Sequence, residues 1–304
     1  MCRALTYFGS SILLDDLLYQ PDNSLIKQSY QAKLMDTIQN LAGFGMALWS
    51  EKSFNPKVPY LYHTPYLPFM DVNLKHFAVK TKLECLVAHV RGVGYKETEV
   101  VHQKNVHPFL FPGHVLALAH NGQLDSFLQM RFELLPYIKP HIARYIAGTT
   151  DSEWIYALLL SFIPHPEEEN DPRSVEKALL KTFLTIQKVR KKLKICVASP
   201  VNLFISNGTF LIATRFVFDF GRAPEHYDRT HLAFHSLWYT YGKKYGKYEE
   251  EYRMSEGDKK QSVIISSEPL TADMTTWIEV PEYSMIFAEK QKNEISIRIS
   301  DLSI

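Results

Sequence analysis

Apolar residues alternate with polar ones, or stand together in short blocks, toward both ends of the chain, whereas helical spacing is confined to its middle. Strand patterns come first: "RALTYFG" (residues 3–9), "FGMALWS" (44–50) and "ECLVAHVRG" (84–92). Between the first two, residues 13–34 mix short helical and turn pieces around Pro21. "HPFLFPG" and "HVLALAHNG" (107–122), joined at Pro112-Gly113, predict two neighbouring strands of a hairpin.

After Gly148 the period changes. "TTDSEWIYALLLSFI" (149–163) predicts a helix with Thr and Asp capping candidates. A second helix is predicted in 171–194, capped by Ser174. Val175, Leu179, Phe183, Ile186 and Val189 or Arg190 outline one face, and cations gather at its C-terminal end. Strands resume in 195–215 around the turn signal Asn207-Gly208. The charged stretch 241–260 reads as an exposed loop or hairpin tip, and 262–270, 275–281 and 283–299 as further β segments. Strands, two helices, then strands predict an α+β fold with two packed sheets and helices outside. No repeat or linker divides the chain, so residues 1–304 are expected to form one domain.

Composition narrows the class. With 46% hydrophobic and 13% aromatic residues the chain is expected to fold, and a net charge of +1 supplies no field for nucleic acid or an anionic membrane. Three cysteines make no disulfide framework. No signal peptide opens the chain, and apolar stretches such as "WIYALLLSFI" (154–163) are too short to span a bilayer. A soluble, cytoplasmic protein without nucleic-acid or membrane partners is expected.

Cys2 directly follows the initiator methionine. Once that methionine is removed, the residue carries a thiol and a free α-amine, whose ordinary pKa of about 7.7–8.0 suits it to take a proton from a thiol near 8.5. By residue type alone Cys2 equally suits an apolar position opening a buried strand, the reading kept for Cys85 and Cys196. "AHNG" ends a strand with two donors, the Asn121 amide and the Gly122 N–H, that can converge on an oxyanion, although Asn-Gly is also a common turn. Arg91, ending "HVR", can grip a carboxylate or simply reach solvent. Asp151 stands at a helix mouth and fits a cap. His102, His107, His114 and His120 lack zinc-site spacing, so neither metal nor cofactor is expected. "GVG" (92–94) is no phosphate loop, and "KVRKKLK" (188–194) reads as a solvated helix end.

Taken in order, "MCR", "HVR", "NVHPF" (105–109), "AHNG" and "TTDSE" (149–153) resemble the class II glutamine amidotransferases, a family of N-terminal nucleophile hydrolases. "SLIKQS" (24–29), "HSLWYTYG" (235–242) and "ISSEPLT" (265–271) are similar to its standalone branch, which includes the ergothioneine-pathway amidohydrolase and the amidotransferase subunit of glutathione degradation. The resemblance implies a four-layer αββα sandwich of two largely antiparallel sheets. It implies Cys2 as nucleophile toward the side-chain amide of glutamine or a γ-glutamyl compound, with Asn121 and Gly122 as the oxyanion hole. Arg91 would hold the α-carboxylate, Asp151 the α-ammonium, and His107 would line the pocket. Ammonia release, delivery to a partner enzyme, and an oligomeric assembly all remain compatible with it. The family's bulky residue, Ala and Thr after the arginine are replaced by Gly92, Val93 and Gly94, and Phe44 stands for a common tryptophan. Both changes suit a γ-glutamyl substrate larger than glutamine. The competing expectation is a non-catalytic subunit that binds a partner enzyme through the same fold and keeps Met1.

Overall fold

A computed structural model describes residues 2–34, 40–93, 101–168, 171–219, 235–302 and 304. In chain order its elements are β1 (Arg3–Leu13), α1 (Asp15–Leu18), β2 (Phe44–Trp49), β3 (Tyr60–Thr64), α2 (Val72–Ala78), β4 (Lys82–Val90), β5 (Ala117–Gly122), α3 (Phe127–Leu134), α4 (Pro140–Ala143), α5 (Asp151–Phe162) and α6 (Pro172–Lys192). Then follow β6 (Ser199–Ser206), β7 (Phe210–Arg215), β8 (Val217–Phe218), β9 (Trp238–Gly242), β10 (Lys244–Tyr248), β11 (Glu251–Ser255), β12 (Ser262–Ser266), β13 (Ile278–Glu279), β14 (Ser284–Gln291) and β15 (Glu294–Asp301).

Among the described residues the strands form two large antiparallel sheets. The first runs β13-β9-β12-β1-β4-β2-β3; the second runs β15-β14-β7-β6-β5, with β8 paired to β6. The charged stretch after β9 is the separate hairpin β10–β11.

Strand alternation builds the layers. Ala4 and Phe8 of β1, Ala47 and Trp49 of β2, and Cys85 and Val87 of β4 pack against Ala117, Phe204, Ala213 and Ile286 of the second sheet. The intervening Leu5, Tyr7, Leu48 and Leu86 face outward onto a layer containing Leu17, Leu18, Leu25 and Leu74. On the far side, α5 and α6 cover the second sheet, and the expected stripe Val175, Leu179, Phe183, Ile186 and Val189 is buried there. The order of layers is therefore helices, sheet, sheet, helices, as the resemblance implied.

Several local expectations need correction. Asp171, not Ser174, caps α6: its carboxylate accepts the N–H of Arg173 (2.8 Å) and of Ser174 (3.0 Å). Proline at the first helical position leaves no donor there to satisfy. The 107–122 hairpin reduces to one bridge, Phe109 with Leu118, because Pro108 and Pro112 supply no N–H to extend a ladder. "TTWIEVP" contributes only the two-residue β13. Cys196 is exposed and lies outside any strand, whereas Cys85 is buried in β4, where burial pushes its thiol up to about 12.

Histidines tie the sheets at one end. His89 of β4 reaches across so that its Nε2 lies 3.1 Å from the carbonyl oxygen of His120 in β5. Burial pushes the protonation of His89 and of His235 down to about 3, and lowers that of His63 and His107. Below about pH 6.5 the unfolded chain binds protons that these buried rings refuse, so their contribution to stability is complete above that pH and declines as pH falls toward the folded values. Urea titrations at pH 7 and pH 5 are expected to show lower stability at pH 5. His89→Asn is expected to shrink that difference by about 2 kcal/mol, the part of the linkage for one ring moved from 6.5 to about 3 that falls between pH 7 and pH 5; an unchanged pH dependence in the variant would contradict the assignment.

Gly45 of β2 is fixed by space, since a Cβ there would lie 2.2 Å from the His107 carbonyl oxygen and 2.6 Å from His63 Cδ2. Gly45→Ala is expected to lower stability by about 1–3 kcal/mol through overpacking, read as a shift of the urea midpoint at pH 7.

Candidate active site

β1 opens at Arg3 opposite Val90, the last residue of β4. Cys2 therefore stands just before one strand and Arg91 just after its neighbour. Cys2 is 8% exposed. The Gly92 N–H donates to its Sγ at 3.4 Å, and the thiol donates to the Gly92 carbonyl oxygen at 3.5 Å. The Arg91 main chain is pinned to the segment before β2, its N–H donating to Gly43 O (2.8 Å) and its carbonyl accepting from Ala42 N (2.9 Å). Its buried guanidinium leaves Nη1 without a partner.

Asn121 and Gly122 end β5, the last strand of its sheet. Gln123 N donates to Pro200 O (2.9 Å) while Val201 N turns to Phe216 O (2.8 Å). Gly122 and Val201 thus form a pair without ladder bonds, and the Gly122 N–H faces the open edge of β5. From that same edge His120 O meets His89. No side chain fits at Gly122: a Cβ would lie 2.0 Å from Pro200 O and 2.6 Å from His120 Nε2. Asn121 is fully buried; its Nδ2 donates to Ser267 Oγ at 2.9 Å, and Oδ1 has no partner.

His107 and His89 form a second buried cluster, with His107 Nδ1 3.1 Å from His89 Nε2 and the ring centroids 4.2 Å apart. A carbonyl oxygen only accepts, so the arrangement that satisfies both contacts puts the His89 proton on Nε2 and the His107 proton on Nε2. That leaves the His107 Nε2–H and His89 Nδ1 unpartnered. Burial, then the charge of Arg91, keeps His89 neutral.

Asp151 is the first residue of α5, and Thr150 is the cap, accepting from Glu153 N at 3.3 Å. The Asp151 carboxylate accepts Leu124 N (2.6 Å), Ser152 N (2.8 Å) and Ser152 Oγ (3.1 Å). Ser152 Oγ lies 2.9 Å from His120 Nδ1. The motifs also join directly: Asn105 Nδ2 donates to Thr149 Oγ1 (3.0 Å), and Thr149 N donates back to Asn105 Oδ1 (2.9 Å).

A run of bonded contacts therefore links all six expected residues, Cys2, Arg91, His107, Asn121, Gly122 and Asp151. Gly94, the third departure after Arg91, lies outside the described residues. Sequence reasoning assigned no role to Ser152, His89, His120, Ser267 or Glu268, although they lie in the quoted "TTDSE", "HVR", "AHNG" and "ISSEPLT"; for the last two the signal was a Ser-Ser-Glu run closing an apolar strand. The cluster with metal-ligand spacing among the described residues is His165, Glu167 and Glu168, which is exposed and involves none of these groups.

Comparison with known proteins places this geometry. The family model of the class II glutamine amidotransferases matches residues 24–299. The chain is 30% identical over 309 aligned positions to the probable glutamine amidotransferase DUG3 of Saccharomyces cerevisiae, covering 96% of this chain and 82% of that protein. Among solved structures it resembles a glutamine aminotransferase class-II domain protein from Silicibacter pomeroyi, with a TM-score of 0.60, 19% identity and full coverage of both chains. It also resembles the glutamine phosphoribosylpyrophosphate amidotransferase of B. subtilis, with a TM-score of 0.59 and 16% identity over 100% of this chain and 50% of that one. These structural likenesses establish the fold that the chain shares with both proteins. Among the described residues no helix is long and apolar enough to cross a membrane. By its family match and its yeast relative, the chain belongs to the class II glutamine amidotransferases.

Proposed function

We propose that this chain hydrolyses the side-chain amide of glutamine or of a γ-glutamyl compound through a thioester on Cys2. The observation that carries this reading is the buried Cys2 thiol bonded to the main chain of Gly92, directly after Arg91, whose buried guanidinium leaves Nη1 without a partner. Removal of Met1 frees the α-amine of Cys2, which takes the thiol proton as sulfur attacks the amide carbon. The carbonyl oxygen becomes an oxyanion held by the Gly122 N–H and the Asn121 amide. Collapse breaks the C–N bond; the amine leaves with the proton held by the α-amine. Water then cleaves the thioester, giving a free γ-carboxylate and restoring the thiol.

The Asn121 amide can donate in either orientation, because its NH2 has two hydrogens. As placed, one of them goes to Ser267 Oγ and Oδ1 has no partner. A half-turn lets the Ser267 O–H donate to Oδ1 and frees both amide hydrogens for the oxyanion, while Ser267 still accepts from Ala4 N at 3.0 Å. Arg91 Nη1 and the His107 Nε2–H are unpartnered buried donors suited to the substrate's α-carboxylate end. Asp151 faces the α-ammonium, although three hydrogen bonds already occupy its carboxylate. Gly92 adds no side chain beside the thiol, which suits a γ-glutamyl substrate larger than glutamine.

Two measurements test the reading. An electrophilic glutamine analogue is expected to label Cys2, and intact mass is expected to show loss of one methionine; label on Cys196, or Met1 retained in active protein, would reject the mechanism, and Met1 retained in inactive protein would favour a binding subunit. Asn121→Ala is expected to lower kcat by about 100- to 1,000-fold with KM little changed, measured by glutamate release from γ-glutamyl amides.

A further inference from the structure

The segment that closes β12 holds both halves of the proposed reaction centre. Arg3 and Glu268 are a buried pair, 3% and 0% exposed, with Arg3 Nε 2.6 Å from Glu268 Oε1. The same guanidinium donates through Nη1 to the carbonyl oxygen of Cys2 at 3.0 Å. The second oxygen of Glu268 accepts Lys33 N at 2.9 Å and Asn23 Nδ2 at 3.4 Å, so the carboxylate is fixed from two sides. One residue earlier, Ser267 N donates to Ala4 O (2.9 Å), and Ser267 Oγ accepts Ala4 N (3.0 Å) while bonding the Asn121 amide (2.9 Å). The dipeptide therefore grips the main chain on both sides of Arg3 and, from the neighbouring side chain, the amide on β5.

We propose that Ser267 and Glu268 are positioning residues: Glu268 sets the Cys2 main chain through Arg3, Ser267 sets the Asn121 amide, and together they fix the distance between nucleophile and oxyanion donor. Stability alone does not call for such a pair. Removing two charges from water costs several kcal/mol, and apolar residues of similar volume commonly pack at least as stably. What an ion pair adds here is direction, because Nε and Nη1 of one planar group bind two acceptors at once, Glu268 and the Cys2 carbonyl. A misplacement of about 1 Å at a reacting centre can cost about 100-fold in rate.

This inference rests on the proposed Cys2 chemistry for its kinetic arm and not for its labelling arm. The other two cysteines serve as internal standards in the full-length protein: exposed Cys196 sets the intrinsic rate of iodoacetamide alkylation, and buried Cys85 reports unfolding. The double variant Arg3→Met/Glu268→Met removes the pair without leaving a lone buried charge. It is expected to change the Cys2 alkylation rate, relative to Cys196, by about threefold or more and to lower kcat by about tenfold or more, with Cys85 still protected. Ser267→Ala is expected to lower kcat by about tenfold or more with KM within about twofold, and Ser267→Thr, which keeps the hydroxyl, to restore most of it. Unchanged Cys2 labelling in the double variant, or wild-type kcat in Ser267→Ala, would overturn the proposal. So would a rise at Cys85 in parallel with Cys2, which would make these residues merely structural. Absence of γ-glutamyl amide turnover in the wild-type protein would instead reject the proposed function, and the ratio of Cys2 to Cys196 labelling would still decide the positioning role.

Discussion

Arg3 lies opposite Val90, and the register of β1 on β4 decides which groups share the end of the sandwich. Because side chains alternate, a slip by one residue would send Ala4 and Phe8 to the outer face and bring Leu5 and Tyr7 between the sheets. The inner layer would not accept them. It is lined by Ala47, Ala117, Ala119, Ala213 and Ala288, small residues that let the sheets approach. Register is thus set by packing along the length of β1, and the position of Cys2 against Gly92 is inherited from it.

The polar end of the sandwich runs against the usual economy of cores. Arg91 Nη1, His107 Nε2, His89 Nδ1 and Asn121 Oδ1 are buried without partners, and each such group costs on the order of 1–3 kcal/mol. Elsewhere some buried polar groups are paired, Thr214 Oγ1 bonding both Leu203 N and Val201 O and Arg190 binding Asp219, Ser199 and Val197, while Trp49 Nε1, Thr240 Oγ1 and Tyr245 Oη are also without partners. Where several such groups belong to neighbouring residues, binding of a polar molecule has more than one deficit to satisfy.

Much of this was legible in the sequence, and the boundary has a physical cause. β1, β4, β6 and β7 show as short, β-prone apolar runs, buried on both faces, and α6 shows because its stripe has a helical period. The ordered motifs singled out Cys2, Arg91, His107, Asn121, Gly122 and Asp151 as candidates. Pro108 and Pro112 sat in a strand-like run, yet missing donors outweighed its apolar pattern. Asp171 took the cap from Ser174 because an acceptor must precede the proline that opens the helix, not follow it. Glu268 was not legible as a partner of Arg3: 265 residues separate them, and no local pattern encodes a pairing made by sheet topology. Cys196 looked like Cys85 because both sit in strand-like apolar runs, but only Cys85 lies in a strand between the sheets.

Charge at the site follows from these pairings. Arg3 is neutralised by Glu268. Were His89 and His107 to protonate, three cations would crowd one end of the sandwich; burial prevents that by holding both rings neutral. Among the described residues Arg91 has no ion-pair partner, so it is left as the uncompensated cation at that end of the sandwich. An anionic group is therefore drawn to one direction of approach, and neutral imidazoles beside it add hydrogen-bonding geometry without a competing field. A fold that kept its histidines charged would bind anions more strongly but with less control over which oxygen meets which donor. Selecting one end of a substrate that carries a carboxylate and an amide requires that control.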